Sequence, residues 1–386
     1  MQPASYITTL TPLRGIAAIL VLLFHSGIFL YPVAPRTCTF LQNGWLWVDF
    51  FFVLSGFIMS HVYGGKFRQR VDRKSYKHYL QARFARVYPL HLITLCWALA
   101  AGMRLLHQNA PDLWKFFFKN VFDHKAIPTS LLLLQSMNFH STAPLNTVSW
   151  SLSTEWWMYV LFPFLVAPLY RSKKGGRIVL LLFVAALYTV LKYYLVPVFG
   201  RHLGQHMTTT INTINDLAFF RCMAGFLLGM WTYELYRQRI GYAWMRKSYW
   251  FVISFAGVLA ALYADLNELL VVALFSPVIL TAAYNTTAVK RIMDGDLLQR
   301  LGDWSFSIYM VHVPILFTWR ALAPVMGITA PDGFITQQPV YTVGILYCTA
   351  LLTLTLITAS FFYRYVEVPA RNYLNRQFQM RPYAAT

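Results

Sequence analysis

Residues 14–33 of the chain read RGIAAILVLLFHSGIFLYPV, an apolar run that begins with Arg14 and contains one imidazole, His25. Its length approaches the ~20 apolar residues that a helix needs to cross a bilayer. An ionisable group at membrane depth is costly, so by default it marks a functional cavity. Glu155 and His312 lie in two later apolar segments of the same kind. The run therefore predicts a membrane helix that carries a functional histidine.

Nine further segments resemble the first one in length and apolar character. Apolar residues form 57% of the chain and charged residues only 12%, whereas soluble domains contain about 25% charged residues. Backbone in contact with lipid must satisfy its own hydrogen bonds, and helices do so. We therefore predict an all-α fold, a polytopic membrane helical bundle of about ten transmembrane helices in one domain, residues 1–386. The predicted spans are 15–33, 44–62, 87–106, 149–170, 178–198, 217–236, 249–264, 269–285, 304–325 and 339–363.

The charge balance is strongly basic, with a formal net charge of +19 from 33 Lys and Arg against 14 Asp and Glu. Nucleic-acid-binding proteins share such a balance, but here the cations concentrate in alternate connecting segments, above all in residues 63–86. This is the positive-inside pattern of a membrane protein. We therefore predict a lipid bilayer and no nucleic acid as partner, and both termini in the cytoplasm. A bacterial cytoplasmic (inner) membrane fits this topology.

The four cysteines predict neither a metal site nor a disulfide framework. Cys38, Cys96, Cys222 and Cys348 are scattered along the chain. None of them forms a Cys-x-x-Cys or Cys/His spacing, which are the patterns typical of metal and redox sites. We therefore expect no metal.

Arg14 and His25 are eleven residues apart in the first apolar segment. On a helix they lie ~16 Å apart along the axis and close to one face. Arg14 would then stand at the cytoplasmic mouth, either as a topology residue or as a clamp for a phosphate. His25 would lie near the bilayer centre, where it is either a structural hydrogen-bonding residue or a general base suited to neutral pH.

Two more arginines enter the third predicted span from the cytoplasmic side. Arg83 and Arg86 are three residues apart and so share a helical face. One interpretation is that both are cations whose side chains reach the membrane boundary. The other is a polyphosphate site, next to Arg14 if the first and third spans meet.

Three residues near the predicted outer half of the bundle are candidates for substrate contact or catalysis. Glu155 lies six residues into the fourth span, where it either pairs with an Arg or His, orients His25, accepts a proton or binds acceptor hydroxyls. Trp150 would form an aromatic wall for a sugar ring. Asp49 is expected at the outer interface, where an acid costs little. The small pair Ser55-Gly56 in the same helix as Asp49 is interpreted as a packing site.

Tyr309 and His312 lie on one face of the ninth predicted span, because they are three residues apart. Pro314 loosens the helix ladder next to them. Either side chain is a candidate for substrate binding or for stabilising an oxyanion.

Taken together, these motifs resemble acyltransferase family 3, a family of membrane-bound acyltransferases. The resemblance extends from Arg14 to about Arg371. Its motifs are Arg14 with His25, FFVLSGF at 51–57, Arg83 with Arg86 and Pro89, Trp150-Ser151-Leu152 with Glu155, Tyr309 with His312 and Pro314, and EVPAR at 367–371.

This resemblance implies an O-acyltransferase that moves an acyl group, by prevalence acetyl, from cytoplasmic acyl-CoA to a hydroxyl of an extracytoplasmic or lipid-linked carbohydrate. Exopolysaccharide and lipopolysaccharide units are the expected acceptors, and other polysaccharide-assembly proteins are conceivable partners. By analogy Arg14, Arg83 and Arg86 hold the CoA phosphates, and His25 and Glu155 are catalytic. Asp49, Trp150, Tyr309 and His312 are the expected substrate contacts. We expect no appended esterase-like domain of the kind that some relatives carry.

An alternative function is transport or export of a sugar-containing substrate, with the intramembrane His and Glu as a proton relay. The chain shows no inverted repeat of the kind many transporters have, so we favour the enzyme. The identity of the acceptor and the choice between acetyl and a larger donor such as succinyl stay open.

Overall fold

The computed structural model describes residues 6–29, 38–106, 121–140, 144–171, 174–200, 208–322 and 341–378, and the described part is all-helical. Each predicted span overlaps a long helix. These helices are α1 (Leu10–Phe29), α2 (Trp47–Phe67), α3 (Arg73–Leu106), α4 (Ser149–Arg171), α5 (Lys174–Val190), α6 (Ala218–Arg237), α7 (Ser248–Tyr263), α8 (Glu268–Tyr284), α9 (Asp296–Leu322) and α10 (Tyr341–Phe362).

Five helical stretches of the described chain are long and apolar enough to cross a membrane. They are Thr39–Phe67, Arg73–Leu106, Ser149–Leu169, Gly175–Phe199 and Ile345–Gln377. Shorter apolar helices are Leu10–Ser26, Ser248–Tyr263 and Glu268–Tyr284. Length and composition therefore confirm a helical membrane protein, while the number of ten crossings and the side of the termini stay predictions.

Several helices begin earlier than their predicted spans. α3 begins at Arg73, fourteen residues before the predicted start at 87, so much of the basic segment 63–86 is helical. The Asp72 carboxylate accepts a hydrogen bond from the Ser75 amide at 2.9 Å, which caps the first turn. This bond also lowers the pKa of Asp72. Arg83 and Arg86 therefore lie on the same continuous helix that forms the third predicted span.

Two glycines allow α2 and α6 to pack in close contact. A Cβ atom on Gly56 would overlap the carbonyl oxygen of Phe226, and one on Gly229 would overlap that of Val53. Small residues of this kind let membrane helices approach closely. The predicted packing role is thereby confirmed for Gly56.

A second close pair joins α1 to α9. A Cβ atom on Gly302 would overlap the carbonyl oxygen of Thr11, and one on Gly15 would lie only 2.6–2.8 Å from backbone atoms of Leu301 and Gly302. The two helices run together for much of their length. Their packing brings the first and ninth predicted spans side by side, which places His25 next to His312.

Short helical pieces complete the described chain. Residues His124–Ala126 and Ile127–Leu131 form helical turns, and α5 continues through a π-helical turn, Leu191–Leu195. A second π-helical turn, Tyr363–Glu367, links α10 to the terminal helix Val368–Gln377. π-Turns are frequent at functional sites, and this one carries the acid of the EVPAR motif.

Candidate active site

One pocket between the helices collects most of the predicted site residues. Its empty volume, open solvent included, is ≈ 890 Å³. Its ionisable lining residues come from four helices: Arg14 of α1, Arg83 and Arg86 of α3, Glu155 and Tyr159 of α4, and Tyr309 of α9. The predicted meeting of Arg14 with the two arginines of the third span is therefore present.

The three arginines of this arginine pocket differ in their partners. Arg86 pairs with Glu367, which also accepts a hydrogen bond from Ser307 at 2.9 Å. Arg83 donates to the Tyr63 hydroxyl at 2.9 Å, while its Nε atom is buried without a partner. Arg14 forms no ion pair with any described residue. The pocket therefore carries positive charge that the described acids do not neutralise by direct pairing.

Glu155 faces the arginine pocket and not the histidines. Its Oε1 atom accepts hydrogen bonds from the Ser55 hydroxyl and from the Tyr159 hydroxyl, the latter at 2.5 Å. Ser55 thus contacts a carboxylate, which corrects its interpretation as a pure packing residue. The Tyr159 bond follows from the i,i+4 spacing on α4. The described partners of Glu155 do not include His25, so other groups orient that imidazole.

His25 and His312 form a pair behind the arginine pocket. The His312 Nε2 and His25 Nδ1 atoms are 3.3 Å apart, and the ring centroids are 5.0 Å apart. The Tyr309 ring lines the pocket, and its centroid is 5.8 Å from that of His312. Tyr309 therefore contacts both the arginine pocket and the histidine pair, although neither histidine lines the pocket itself.

The Tyr309 hydroxyl is engaged in hydrogen bonds, and the Trp150 ring contacts a guanidinium group. The Tyr309 hydroxyl donates to the Val148 carbonyl at 3.1 Å and lies 2.8 Å from the Ser151 hydroxyl. The Trp150 ring is buried and stacks under the guanidinium of Arg221, 5.1 Å from the ring centroid. The pocket is lined by Ser151 and Leu152 next to Trp150.

Asp49 lies apart from the pocket in a buried ion pair. Arg221 binds its carboxylate with two nitrogens, at 3.0 and 2.6 Å, and both side chains have no exposed surface. The rings of Trp45 and Trp150 cover the guanidinium. The expectation that Asp49 stands free at the interface to meet substrate is thus replaced by a paired carboxylate. An acid in an apolar segment is a signal for such a partner on another helix.

Asn146 is a polar residue near the histidines that the sequence analysis did not select. Pro314 has no amide hydrogen, which leaves the carbonyl of Met310 without its helical donor. The Asn146 side-chain amide donates to that carbonyl at 3.0 Å. From the sequence, Pro314 was therefore the signal that a residue outside α9 donates a hydrogen bond to this turn of the helix.

Fold and site together define a helical membrane protein with a cationic pocket and, next to the Tyr309 ring that lines it, a pair of imidazoles. The family model described as an acyltransferase domain, that of acyltransferase family 3, matches residues 9–363. The chain therefore belongs to this family and is an acyltransferase embedded in a membrane. No solved structure matches it.

Curated relatives agree with this assignment. Acyltransferase MdmB of Streptomyces mycarofaciens is 27% identical over 96% of this chain and 92% of its own length. Peptidoglycan O-acetyltransferase OatA of Listeria monocytogenes is 22% identical over 95% of this chain and 56% of its own length. O-acetyltransferase OatA of Staphylococcus aureus is 22% identical over 99% of this chain and 60% of its own length. The chain thus spans little more than half of either OatA protein.

Proposed function

We propose that the protein is an O-acyltransferase that moves an acetyl group from cytoplasmic acetyl-CoA to a hydroxyl of an extracytoplasmic or lipid-linked carbohydrate. In this proposal residues 1–386 form one domain with ten spans and both termini in the cytoplasm, in a bacterial inner membrane. The family membership and the O-acetyltransferase relatives support the reaction class.

The observation that carries the proposal is the surplus of guanidinium groups in one pocket. Arg14 lacks an ion pair within the described residues, and Arg83 keeps a buried nitrogen without a partner. Buried charges are normally paired, so two guanidinium groups without a counter-ion among the described residues favour an anionic ligand. The phosphates of CoA are such a ligand, and guanidinium groups bind phosphate oxygens in pairs. The pantetheine arm would then extend toward His25, ~16 Å along α1 from Arg14.

The residues fit CoA in chemistry as well as in charge. Arg14, Arg83 and Arg86 would hold the phosphates, and the apolar side chains of Phe51, Ile58 and Val87 line the pocket beside them. Bound CoA supplies an activated thioester. We propose that His25 is the catalytic base, and that Glu155 holds the pocket's hydroxyl network and balances part of its positive charge.

The proposed acceptor class follows from the names of the relatives. A peptidoglycan O-acetyltransferase and a second O-acetyltransferase are among the relatives, which supports a carbohydrate hydroxyl. Exopolysaccharide and lipopolysaccharide units belong to the same chemical class. Tyr309 is the proposed contact with the substrates, because its ring lines the pocket, and His312 acts next to it through His25. Trp150 contributes indirectly to the site. Its ring contacts Arg221, and its neighbours Ser151 and Leu152 line the pocket.

The test supplies acetyl-CoA to purified protein in detergent and follows the release of free thiol with a panel of sugar acceptors. We expect release that rises with one acceptor and disappears in His25→Ala. The matched control is His124→Ala, because the His124 side chain is largely exposed. Equal release by His25→Ala and the wild type would contradict the assignment of His25. No release from folded wild-type protein with any donor would contradict the proposed reaction.

A further inference from the structure

The two imidazoles of the His25–His312 pair face each other through different ring nitrogens. His25 Nδ1 lies 2.9 Å from the Val21 carbonyl oxygen and 3.3 Å from His312 Nε2. His312 Nδ1 lies 3.1 Å from the Ile308 carbonyl oxygen. In both rings, therefore, Nδ1 faces a backbone carbonyl one helical turn earlier.

These contacts determine where each neutral ring carries its proton. A carbonyl oxygen only accepts hydrogen bonds, so the nitrogen that faces it must carry the hydrogen. His25 and His312 are then both protonated on Nδ1. His312 Nε2 is left with a lone pair that faces the Nδ1 hydrogen of His25. His25 Nε2 is left with the free lone pair of a base.

We propose that His312 is a positioning residue that holds the imidazole of His25 in this tautomer and orientation, with Nε2 as the atom that removes the acceptor proton. The inference rests on the proposed function for its catalytic consequence. Its structural part, the tautomer of His25, stands independently of any substrate.

The transfer step is balanced with these two residues and the acyl thioester. The acceptor hydroxyl gives its proton to His25 Nε2 while its oxygen bonds to the thioester carbonyl carbon. The carbon–sulfur bond then breaks, and the CoA thiolate takes the proton from Nε2 as it leaves. The Nδ1 hydrogen of His25 stays in place throughout. The lone pair of His312 stabilises the positive charge that His25 carries between the two proton transfers.

The surroundings hold His312 in the position that this role requires. Asn146 donates to the Met310 carbonyl at 3.0 Å, and the Tyr309 hydroxyl donates to the Val148 carbonyl at 3.1 Å. Two successive residues of α9 are thus bound to one short outer segment, directly before His312. The close α1–α9 contact at Gly15 and Gly302 sets the spacing of the two helices. Both imidazoles therefore sit on elements fixed by backbone contacts.

Two substitutions that differ by one methylene group separate positioning from other roles. In His312→Gln the side-chain oxygen reaches the place of Nε2 and can still accept from His25. In His312→Asn the amide reaches only the place of Nδ1. We expect His312→Asn to lower kcat by ~10–100-fold, as losses of orienting partners do, with KM for acetyl-CoA unchanged because the arginine pocket is untouched. His312→Gln should recover most of the turnover.

Three results would overturn the inference. Wild-type turnover in His312→Asn would show that the contact is not needed. Equal loss in both variants, with both folded by size-exclusion and thermal unfolding, would mean that His312 itself must carry a proton. An increase in KM without a change in kcat would place His312 in donor binding.

A measurement without substrate separates this inference from the proposed function. In protein labelled with 15N-histidine, nitrogen chemical shifts distinguish protonated from bare ring nitrogens, and the His25 signals are those lost in His25→Gln. We expect Nδ1 protonated and Nε2 bare in the wild type, and a weaker preference in His312→Asn, where the Val21 carbonyl is the remaining acceptor. A proton on Nε2 in the wild type would overturn the inference even in an active enzyme. The expected tautomer in an inactive enzyme would leave it standing and reject only the reaction.

Discussion

Two groups of charges within the helical bundle differ in how they are balanced. In the first, Asp49 and Arg221 have no exposed surface and neutralise each other through two hydrogen bonds. In the second, Arg14, Arg83 and Arg86 line a pocket with one lining acid, Glu155, while Glu367 pairs with Arg86. An ion pair with equal and opposite charges therefore joins two helices, whereas an excess of positive charge that faces a cavity leaves room for an anionic ligand.

The largest effect is expected from opening the matched pair. Asp49→Leu leaves a buried guanidinium without its counter-ion, and breaking such a pair costs about 3–5 kcal/mol. The apparent melting temperature in detergent should fall sharply, together with the yield of folded protein. The double variant Asp49→Leu/Arg221→Met should recover much of the loss, because no unpaired charge remains. Equal stability of Asp49→Leu and wild type would contradict a structural role for the pair.

A smaller effect, on binding rather than on stability, is expected from the arginine pocket. Arg83→Gln removes a charged donor, and hydrogen bonds to charged groups contribute about 1.5–3 kcal/mol. The dissociation constant for CoA, measured by calorimetry, should rise by roughly 10–100-fold at unchanged melting temperature. The control is Arg104→Gln, an exposed arginine near the other end of α3. Unchanged affinity in Arg83→Gln would remove this arginine from the phosphate site.

The close contact between α2 and α6 is tested by the addition of a single methyl group. Gly229→Ala places a Cβ atom against the carbonyl of Val53, and overpacking typically costs about 1–3 kcal/mol. Gly257→Ala is the matched control, since no atom lies within 4 Å of a Cβ at that position. The first variant should melt at a lower temperature and the second should not. Similar melting of both would mean that the α2–α6 contact adapts without cost.

The smallest effect is expected from the lining acid. Glu155→Gln removes a negative charge that repels an anionic donor, so CoA affinity should increase by a factor of roughly 3–10. The increase should fade as salt screens the pocket. Titrations at two ionic strengths check both statements. Weaker CoA binding in Glu155→Gln would instead assign the carboxylate to direct contact with the donor.

Much of this organisation follows from local signals. Apolar runs of sufficient length predicted the positions of the helices, and i,i+3 spacing placed Arg83 with Arg86 on one face. The same rule applied at i,i+4 would have predicted the bond of Tyr159 to Glu155. The basic segment 63–86 was expected to continue as a helix into the third span, and α3 indeed begins at Arg73, where Asp72 caps it.

Contacts between distant parts of the chain were not accessible in this way. Ser55 meets Glu155, and His25 meets His312, through packing of helices far apart in sequence. No periodicity along one helix specifies the partner on another. For Asp49 the apolar surroundings signalled that a partner was needed, but three-dimensional packing alone identifies Arg221.

The most direct test of the central claim is an experimental structure with a non-transferable acetyl-CoA analogue bound. We expect phosphate oxygens within hydrogen-bond distance of Arg14, Arg83 and Arg86, with the thioester carbonyl directed toward His25 Nε2. Phosphates bound to the exposed cations of residues 68–77, with the arginine pocket empty, would contradict this proposal.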